Sequence, residues 1–374
     1  MSNESVELRI NGRKYCGWKS FNLKRSIDSL CGAFSVEASD LFSGNPKDWN
    51  IKIGQSCSIY INNQLTLSGY IDDVHIKYEE DSHMINVIGR DNTADLVDCS
   101  HYPYGESTLN QVSEWKSKSI CKIIQYLCDP FQIKVVLEDF NVAKIVSNNI
   151  KTDTENFSTF NIGEQSVGEL ISKICMTRAI LPVCYGDGCL TLTRAGNGYS
   201  SDALADGVNI LSAELIQSNK DRYSHYVVKG QGIGETTQEL RDWITPNYVY
   251  EDHTIEYSRR RPKIFYLDTM ANNEKCKKRA IWEARRRLAE GRKLRIVVQG
   301  FCQYDGFVWK INKLVRVYSI YLGFLGDSLL ISDINFVLDD GGSKTILELV
   351  SKEAYELKET PLNVGFPYDL SAGD

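Results

Sequence analysis

A chain of 374 residues is too long for one hydrophobic core, since single cores stop growing near roughly 250 residues, so several domains are expected. Hydrophobic residues at 42%, charged residues at 25%, 27 Gly and only 8 Pro exclude disordered, collagenous and coiled-coil classes. The net charge of −6 is uneven: from Ser258 to Ile296 fourteen Lys/Arg stand against four Asp/Glu, an excess of +10 that leaves −16 elsewhere.

Met1 to Arg9 lacks the basic region and apolar run of an export signal, so a cytoplasmic start is expected. The following residues read as strands. Val6 to Ile10 alternates up to the turn Asn11-Gly12, Tyr15 to Trp18 resumes, and Cys57 to Ile61 leads through Asn62-Asn63 to Leu65-Thr66-Leu67, a hairpin. Gly69 to Val74 and His83 to Ile88 keep the period of two, which predicts a small antiparallel barrel over residues 1–100.

Ser119 to Cys128 carries a helical stripe at Ile120, Ile123, Ile124 and Leu127, stopped by Asp129-Pro130, and Phe131 to Leu137 reads as a strand. Val167 to Met176 repeats the helical spacing, with Ser166 placed to cap it. Leu181 to Tyr185 and Cys189 to Thr193 form a hairpin around Gly186-Asp187-Gly188, so residues 101–205 are expected to make an α+β module. Val208 to Gln217 and Tyr223 to Gly230 read as strands, residues 231–270 as a long excursion, and Asn272 or Asn273 as the cap of a basic helix. That helix should bury Cys276, Ala280, Ile281, Ala284 and Leu288 and end at Gly291. Strands return at Lys293 to Gln299, Lys313 to Tyr318, Ser328 to Val337 and Thr345 to Val350. The expected fold class is α+β, β-rich and multi-domain. It comprises two similar small antiparallel β-barrel domains, 1–100 and then 206–230 with 292–350, an α+β module, a basic-helix excursion over 231–291 and a tail over 351–374.

The two barrel regions echo each other. Ile59-Tyr60-Ile61, Gly69 to Val74 and Met84 to Ile88 in the first match Val315 to Val317, Leu330 to Phe336 and Thr345 to Leu349 in the second, in the same order. Meander geometry alone produces some of this likeness.

Motifs for chemistry are sparse. Eleven cysteines, an odd number without CxxC pairs, argue against a disulfide framework or a zinc site. Gly230-Gln231-Gly232-Ile233-Gly234 misses the dinucleotide spacing, no phosphate-binding loop occurs, and five histidines appear in no metalloprotease pattern. Asp72 and Asp73 sit on a strand and should point to opposite faces. The basic segment lacks interleaved stacking aromatics, which argues for a solvated helix face over a nucleic-acid site. The most apolar stretch, Ile320 to Ile331, is interrupted by two glycines and Asp327 and is too short to span a bilayer.

Ser26 to Ser35, Gly69-Tyr70-Ile71-Asp72 and Gly89 to Ser100 resemble the tail baseplate hub proteins of Mu-type contractile phages, and the likeness extends through Tyr226 to Gln231, Ala280 to Arg287 and Gly306 to Trp309. The resemblance, shared with the hub part of type VI secretion spike proteins, implies a structural protein of a phage or prophage virion. In that role a homotrimeric ring joins the tail tube to the spike, and DNA passes the channel without specific binding. It implies no catalytic residues, metal or cofactor. The alternative is a hub with a built-in peptidoglycan hydrolase, sought in residues 101–205. Arg259, Arg260 and Arg261 are the expected subunit or partner contact, because a long charged excursion is more readily ordered by a contact than left free.

Overall fold

The computed structural model describes residues 4–39, 51–79, 82–101, 120–138, 165–176, 179–231, 247–253, 259–270 and 273–356. The chain opens with strands β1 (Val6–Ile10), β2 (Arg13–Tyr15), β3 (Ser20–Ser26), β4 (Ala33–Ser39), β5 (Ser56–Ile61), β6 (Gln64–Glu79) and β7 (Ser82–Asp91). Next come a short helix Ala94–Asp98, a helix Ile120–Cys128, β8 (Lys134–Leu137), a helix Val167–Met176, β9 (Leu181–Val183) and β10 (Cys189–Thr193). Strands β11 (Leu204–Ala205), β12 (Ile210–Gln217), β13 (His225–Gln231), β14 (Asn247–Glu251) and β15 (Pro262–Met270) precede the helix Asn273–Glu290. The chain continues through β16 (Arg292–Gln299), β17 (Leu314–Ser319), β18 (Phe324–Asp339) and β19 (Gly342–Val350).

The turns follow from their residues. Asn11 and Gly12 have φ of 50° and 78°, and Asn62 and Asn63 have 49° and 64°. Two consecutive positive φ angles are what a two-residue hairpin loop needs to match strand twist, and Asn and Gly reach them at least cost.

The described strands form no closed barrel. Thirteen strands instead make one sheet, in the order β12-β16-β19-β18-β3-β4-β7-β6-β5-β1-β2, with β17 on β18 and β11 on β17. Strands β3 and β4, not anticipated from the sequence, are the reason: β3 pairs with β4 on one side and with β18 on the other, so the two strand-rich regions are continuous. One core lies behind them. Phe301 packs edge-on against Phe21 (centroids 6.0 Å apart) and Phe336 (5.7 Å), and all three rings are buried.

Two smaller layers attach to this sheet. Helices Ile120–Cys128 and Val167–Met176 bury Ile123, Ile124, Leu127, Ile171 and Ile174 against a sheet ordered β8-β10-β9. Ser166 Oγ accepts the Glu169 N–H (3.2 Å), the cap that the sequence suggested. The segment expected as an excursion contains β14 and β15, which flank β13 in a separate three-stranded sheet. β13 therefore is not a strand of the second barrel region: Tyr226 and Val228 face Cys276, Ala280 and Ala284 of the long helix instead. That helix also departs from its expected stripe, with Leu288 42% exposed and Trp282 buried, its indole donating to the Glu356 carbonyl (2.8 Å).

Because Phe336 serves the core of both strand-rich regions, Phe336→Ala should destabilise the chain by about 3–5 kcal/mol. Urea unfolding followed by fluorescence and by circular dichroism should show the main sheet lost in one transition.

Candidate assembly interface

The sheet contains one unit twice. The path β3-β4-β7-β6-β5 and the path β12-β16-β19-β18-β17 use their strands in the same chain order. Strand bends agree as well. β6 is bulged at Thr66, opposite Ile59 and Tyr60, and again at Asp72, opposite Gly89 and Ile88. β18 is bulged at Gly326, opposite Val317 and Tyr318, and again at Ser332, opposite Leu349 and Glu348. In each 16-residue strand the first half pairs with one neighbour, the second half with another, and a bulge lies at the change. The pairings make Asp73 the counterpart of Asp333, Val87 of Leu347, Val36 of Ile296, and Leu23 of Leu215.

The two units differ in what meets their edges. The second half of β18 has β19 on one side and β3 on the other, Asp333–Leu338 facing Phe21–Ser26. The matching half of β6, Asp73–Lys77, has β7 on one side, and among the described residues no strand pairs with its other side. Among the described residues, strand β12, counterpart of β3, pairs with β16 alone. Exposure follows the pairing. Phe336 is fully buried, whereas its counterpart Ile76 is 76% exposed, and Leu211 and Ile216 of β12 are half exposed.

The residues that carry the family likeness converge at the other end of β6. Gly69 and Gly89 let the β6 and β7 backbones approach: a Cβ at Gly69 would meet the Arg90 carbonyl at 1.8 Å, and one at Gly89 the Tyr70 carbonyl at 2.3 Å. The Asp91 carboxylate beside them is buried and accepts from Gly32 N–H (2.7 Å), Thr93 Oγ1 (2.5 Å) and Cys184 Sγ (3.3 Å). Buried Arg25 donates to the carbonyl of Thr66 (2.5 Å), the residue that the first bulge leaves out of the β5 ladder. Burial raises the Asp91 carboxyl and outweighs its hydrogen bonds and the charge of Arg25; burial also lowers Arg25 and raises the Cys184 thiol. Ser68 N–H donates to Gly186 O (2.7 Å), so this cluster ties the β9–β10 hairpin to β6.

The expected contact arginines separate. Arg259 and Arg260 are exposed, while Arg261 is committed within the chain. Its N–H donates to Ser224 Oγ (2.7 Å), and its guanidinium donates to the carbonyls of Asn219 and Lys220 (2.6 Å each). The arginines of the long helix are also internally engaged: Arg279 and Arg287 share Glu283, Arg286 pairs with Glu290, and Arg279 lies over the Trp282 ring. The bulge at Asp72 interrupts the alternation expected of Asp72 and Asp73, and Asp72 is held by Arg90, which also pairs with Asp98. No group of His, Cys, Asp or Glu among the described residues has metal-binding geometry. Gly232 to Gly234 of the glycine-rich stretch lie outside the described residues. Sequence reasoning missed that the second half of β6 and the outer edge of β12 lack a partner strand among the described residues; the signal was apolar alternation at Val74 and Ile76 continuing along β6.

Residues 5–91 match the family described as Mu phage baseplate assembly protein GpP-like, N-terminal; residues 93–194 match baseplate hub protein gp44-like, second domain; residues 272–358 match Mu phage baseplate assembly protein GpP, fourth domain. The chain is 28% identical over 366 residues to baseplate hub protein gp44 of Escherichia phage Mu, covering 95% of this chain and 89% of that protein. The 43 kDa tail protein of prophage MuSo2 from Shewanella oneidensis superposes with a TM-score of 0.77 at 26% identity, over 95% of this chain and all of that one. An Escherichia coli component of the type VI secretion system shares the fold, with a TM-score of 0.55 at 10% identity over 95% of this chain and 80% of that one.

Removing the carboxylate at the centre of the β6 cluster leaves Gly32 N–H, Thr93 Oγ1 and a buried guanidinium without its charge. Asp91→Ala should therefore lower stability by about 3–5 kcal/mol, read as a fall in thermal midpoint.

Proposed function

Because this chain belongs to the family of Mu-type phage baseplate hub proteins, we propose that three copies form a ring joining a contractile tail tube to its central spike. The observation that carries this reading is the repeated five-strand unit, with the same path and the same two bulges in each half. In such tails the family resemblance implies hexameric tube rings above and a threefold spike below. Three chains with two similar units each present six, so one ring can meet both symmetries. The two units play the part of the paired barrel domains, and cyclic packing leaves no unmatched heterologous edge.

DNA leaves the virion through this ring in our reading. The face of the main sheet turned away from the core bears both signs of charge, among them Lys24, Glu37, Arg295, Asp333, Lys344 and Glu348. A wall of mixed sign holds phosphates weakly, whereas an array of fixed cations would bind them and retard passage. The protein is made in the host cytoplasm and resides in the virion baseplate, with spike and tube proteins as partners. Arg259 and Arg260, exposed beside β15, remain the proposed contact with a neighbour, while Arg261 acts within its own chain.

The role is structural, without catalysis. Among the described residues of the module over residues 101–205, Glu138 is a carboxylate with several partners. Burial raises it, but the Tyr185 hydroxyl (2.7 Å), the Lys313 ammonium (3.4 Å) and hydrogen bonds from Asn197 and Thr193 together outweigh burial and hold it below its ordinary range. A general acid needs the opposite shift.

Sedimentation of the purified protein should give three times the 42.4 kDa chain mass; a twofold assembly would reject the ring. Arg259→Glu with Arg260→Glu should weaken assembly and leave the circular dichroism spectrum unchanged. A zymogram on peptidoglycan should show no clearing.

A further inference from the structure

The two units share a socket that the chain fills in one of them only. Counting along the strands from the matched pairs Val36 with Ile296, Asp73 with Asp333 and Val87 with Leu347, the counterparts of Gly32, Ser68 and Asp91 are Arg292, Ser328 and Ser351. In the first unit this place is taken by the turn Gly186-Asp187-Gly188 of the β9–β10 hairpin. Gly186 O accepts the Ser68 N–H (2.7 Å). Gly186 and Gly188 have φ of 86° and 80°, and a Cβ at Gly186 would meet Arg25 Nη2 at 1.9 Å and the Thr66 carbonyl at 2.3 Å. A turn without side chains at these positions is what lets the backbone come so close. Burial lowers the Arg25 guanidinium, and the Asp187 carboxylate of the turn is among the charges that oppose this.

In the second unit the same place is a pocket of about 320 Å³, walled by Leu288, Leu294, Phe324 and Leu329, with Arg292 and Ser328 among its polar groups. The direction of the Ser328 N–H follows from the ladder. Ile331 N–H donates to Lys313 O (2.9 Å), on the β17 side. Successive N–H groups of a strand alternate sides, so those of Leu330 and Ser328 point the other way. Leu330 lies opposite Val350, where β19 ends, and Ser328 lies past that end, as Ser68 lies past the end of β7. Among the described residues no backbone carbonyl accepts the Ser328 N–H on that side. Arg292 lies over the Phe324 ring (4.7 Å) and forms no ion pair among the described residues. Asp327, also at the pocket, accepts the Leu325 N–H (3.0 Å).

We infer that this pocket is a docking socket for the central spike, which seats in it a tight turn carrying a carboxylate. The Ser328 N–H donates to a carbonyl of the turn, as Ser68 does in the first unit. Arg292 pairs with the carboxylate, the part that Arg25 plays towards Asp187, and a guanidinium without an acid of its own chain is the complement that an acidic turn requires. Leu288, 42% exposed on the long helix, gains an apolar partner. The number of open sockets selects the spike. Each chain fills one socket itself and leaves one open, so three chains in a ring offer three. A sixfold tube would meet filled and open sockets in alternation, whereas a threefold spike meets three alike. The inference rests on the proposed ring and its spike; the socket itself rests on the repeat.

The test uses the full chain with Leu288→Cys and the purified spike protein of the same tail. Alkylation at position 288, followed by peptide mapping because of the native cysteines, should be rapid in the assembled protein and should all but stop at saturating spike. Hydrogen exchange in the peptide that contains Ser328 should slow at the same time. Arg292→Glu should weaken spike binding about tenfold and leave the assembled mass and the circular dichroism spectrum unchanged, with Arg292→Lys between the two. A spike that binds while position 288 stays reactive, or that binds the Arg292→Glu protein equally well, would overturn the socket and leave the proposed function standing. Position 288 already protected without spike would mean that this chain or a second copy fills the pocket, and would overturn the spike as its occupant. A spike that does not bind at all would overturn both the socket and the joining role.

Discussion

The ladder between β18 and β3 is the constraint from which the rest of the architecture follows. Asp333–Leu338 lies antiparallel to Phe21–Ser26, and on its buried face Phe21 and Leu23 meet Ile334 and Phe336. Through this ladder two units that could each have closed on themselves share one sheet and one core.

Bulges make the arrangement possible. A regular antiparallel strand keeps one neighbour along each edge, so serving two partners in succession requires a local bend and twist. In β6 and β18 the second bulge sits where the inner partner takes over, and its surroundings differ between the units. Asp72 is held by Arg90, whereas buried Ser332 donates to the Glu348 carbonyl (3.1 Å). The first bulge shows the same economy. In β18 it is Gly326 with φ of 104°, which adopts that backbone without strain. In β6 it is Thr66, and its freed carbonyl requires Arg25 from β3. The geometry is retained while the side chains that stabilise it are not, which is why the echo between the halves is faint in the sequence.

Much of the fold was legible because it rests on local rules. Asn11-Gly12 and Asn62-Asn63 demand hairpin turns, Ser166 caps a helix, and the stripes over Ile120–Cys128 and Val167–Met176 have helical period. What escaped depends on residues far apart. β3 alternates through Phe21, Leu23 and Arg25, but a buried arginine reads as solvent-facing until the Thr66 carbonyl is placed beside it. β14 and β15 escaped because they pair with β13 across long intervening segments, and their apolar residues complete a core only when the long helix is in place. The arginine cluster over Arg259–Arg261 was visible, yet nothing local distinguishes Arg261, bound to Asn219 and Lys220, from its exposed neighbours.

The uneven charge has the same explanation. Of the local excess of +10, the long helix carries +4, seven Lys/Arg against three Asp/Glu; it lies on the small β14-β13-β15 sheet, and several of its guanidinium groups are spent on Glu283, Glu290, Trp282, Tyr223 and Phe265. Such groups stabilise a domain through packing and short-range pairing, and they offer a polyanion little. The main sheet alternates charges of both signs on its outer face. If that face lines the proposed channel, the wall that DNA passes carries cations balanced by neighbouring carboxylates, and the helix arginines stay committed to packing within the chain.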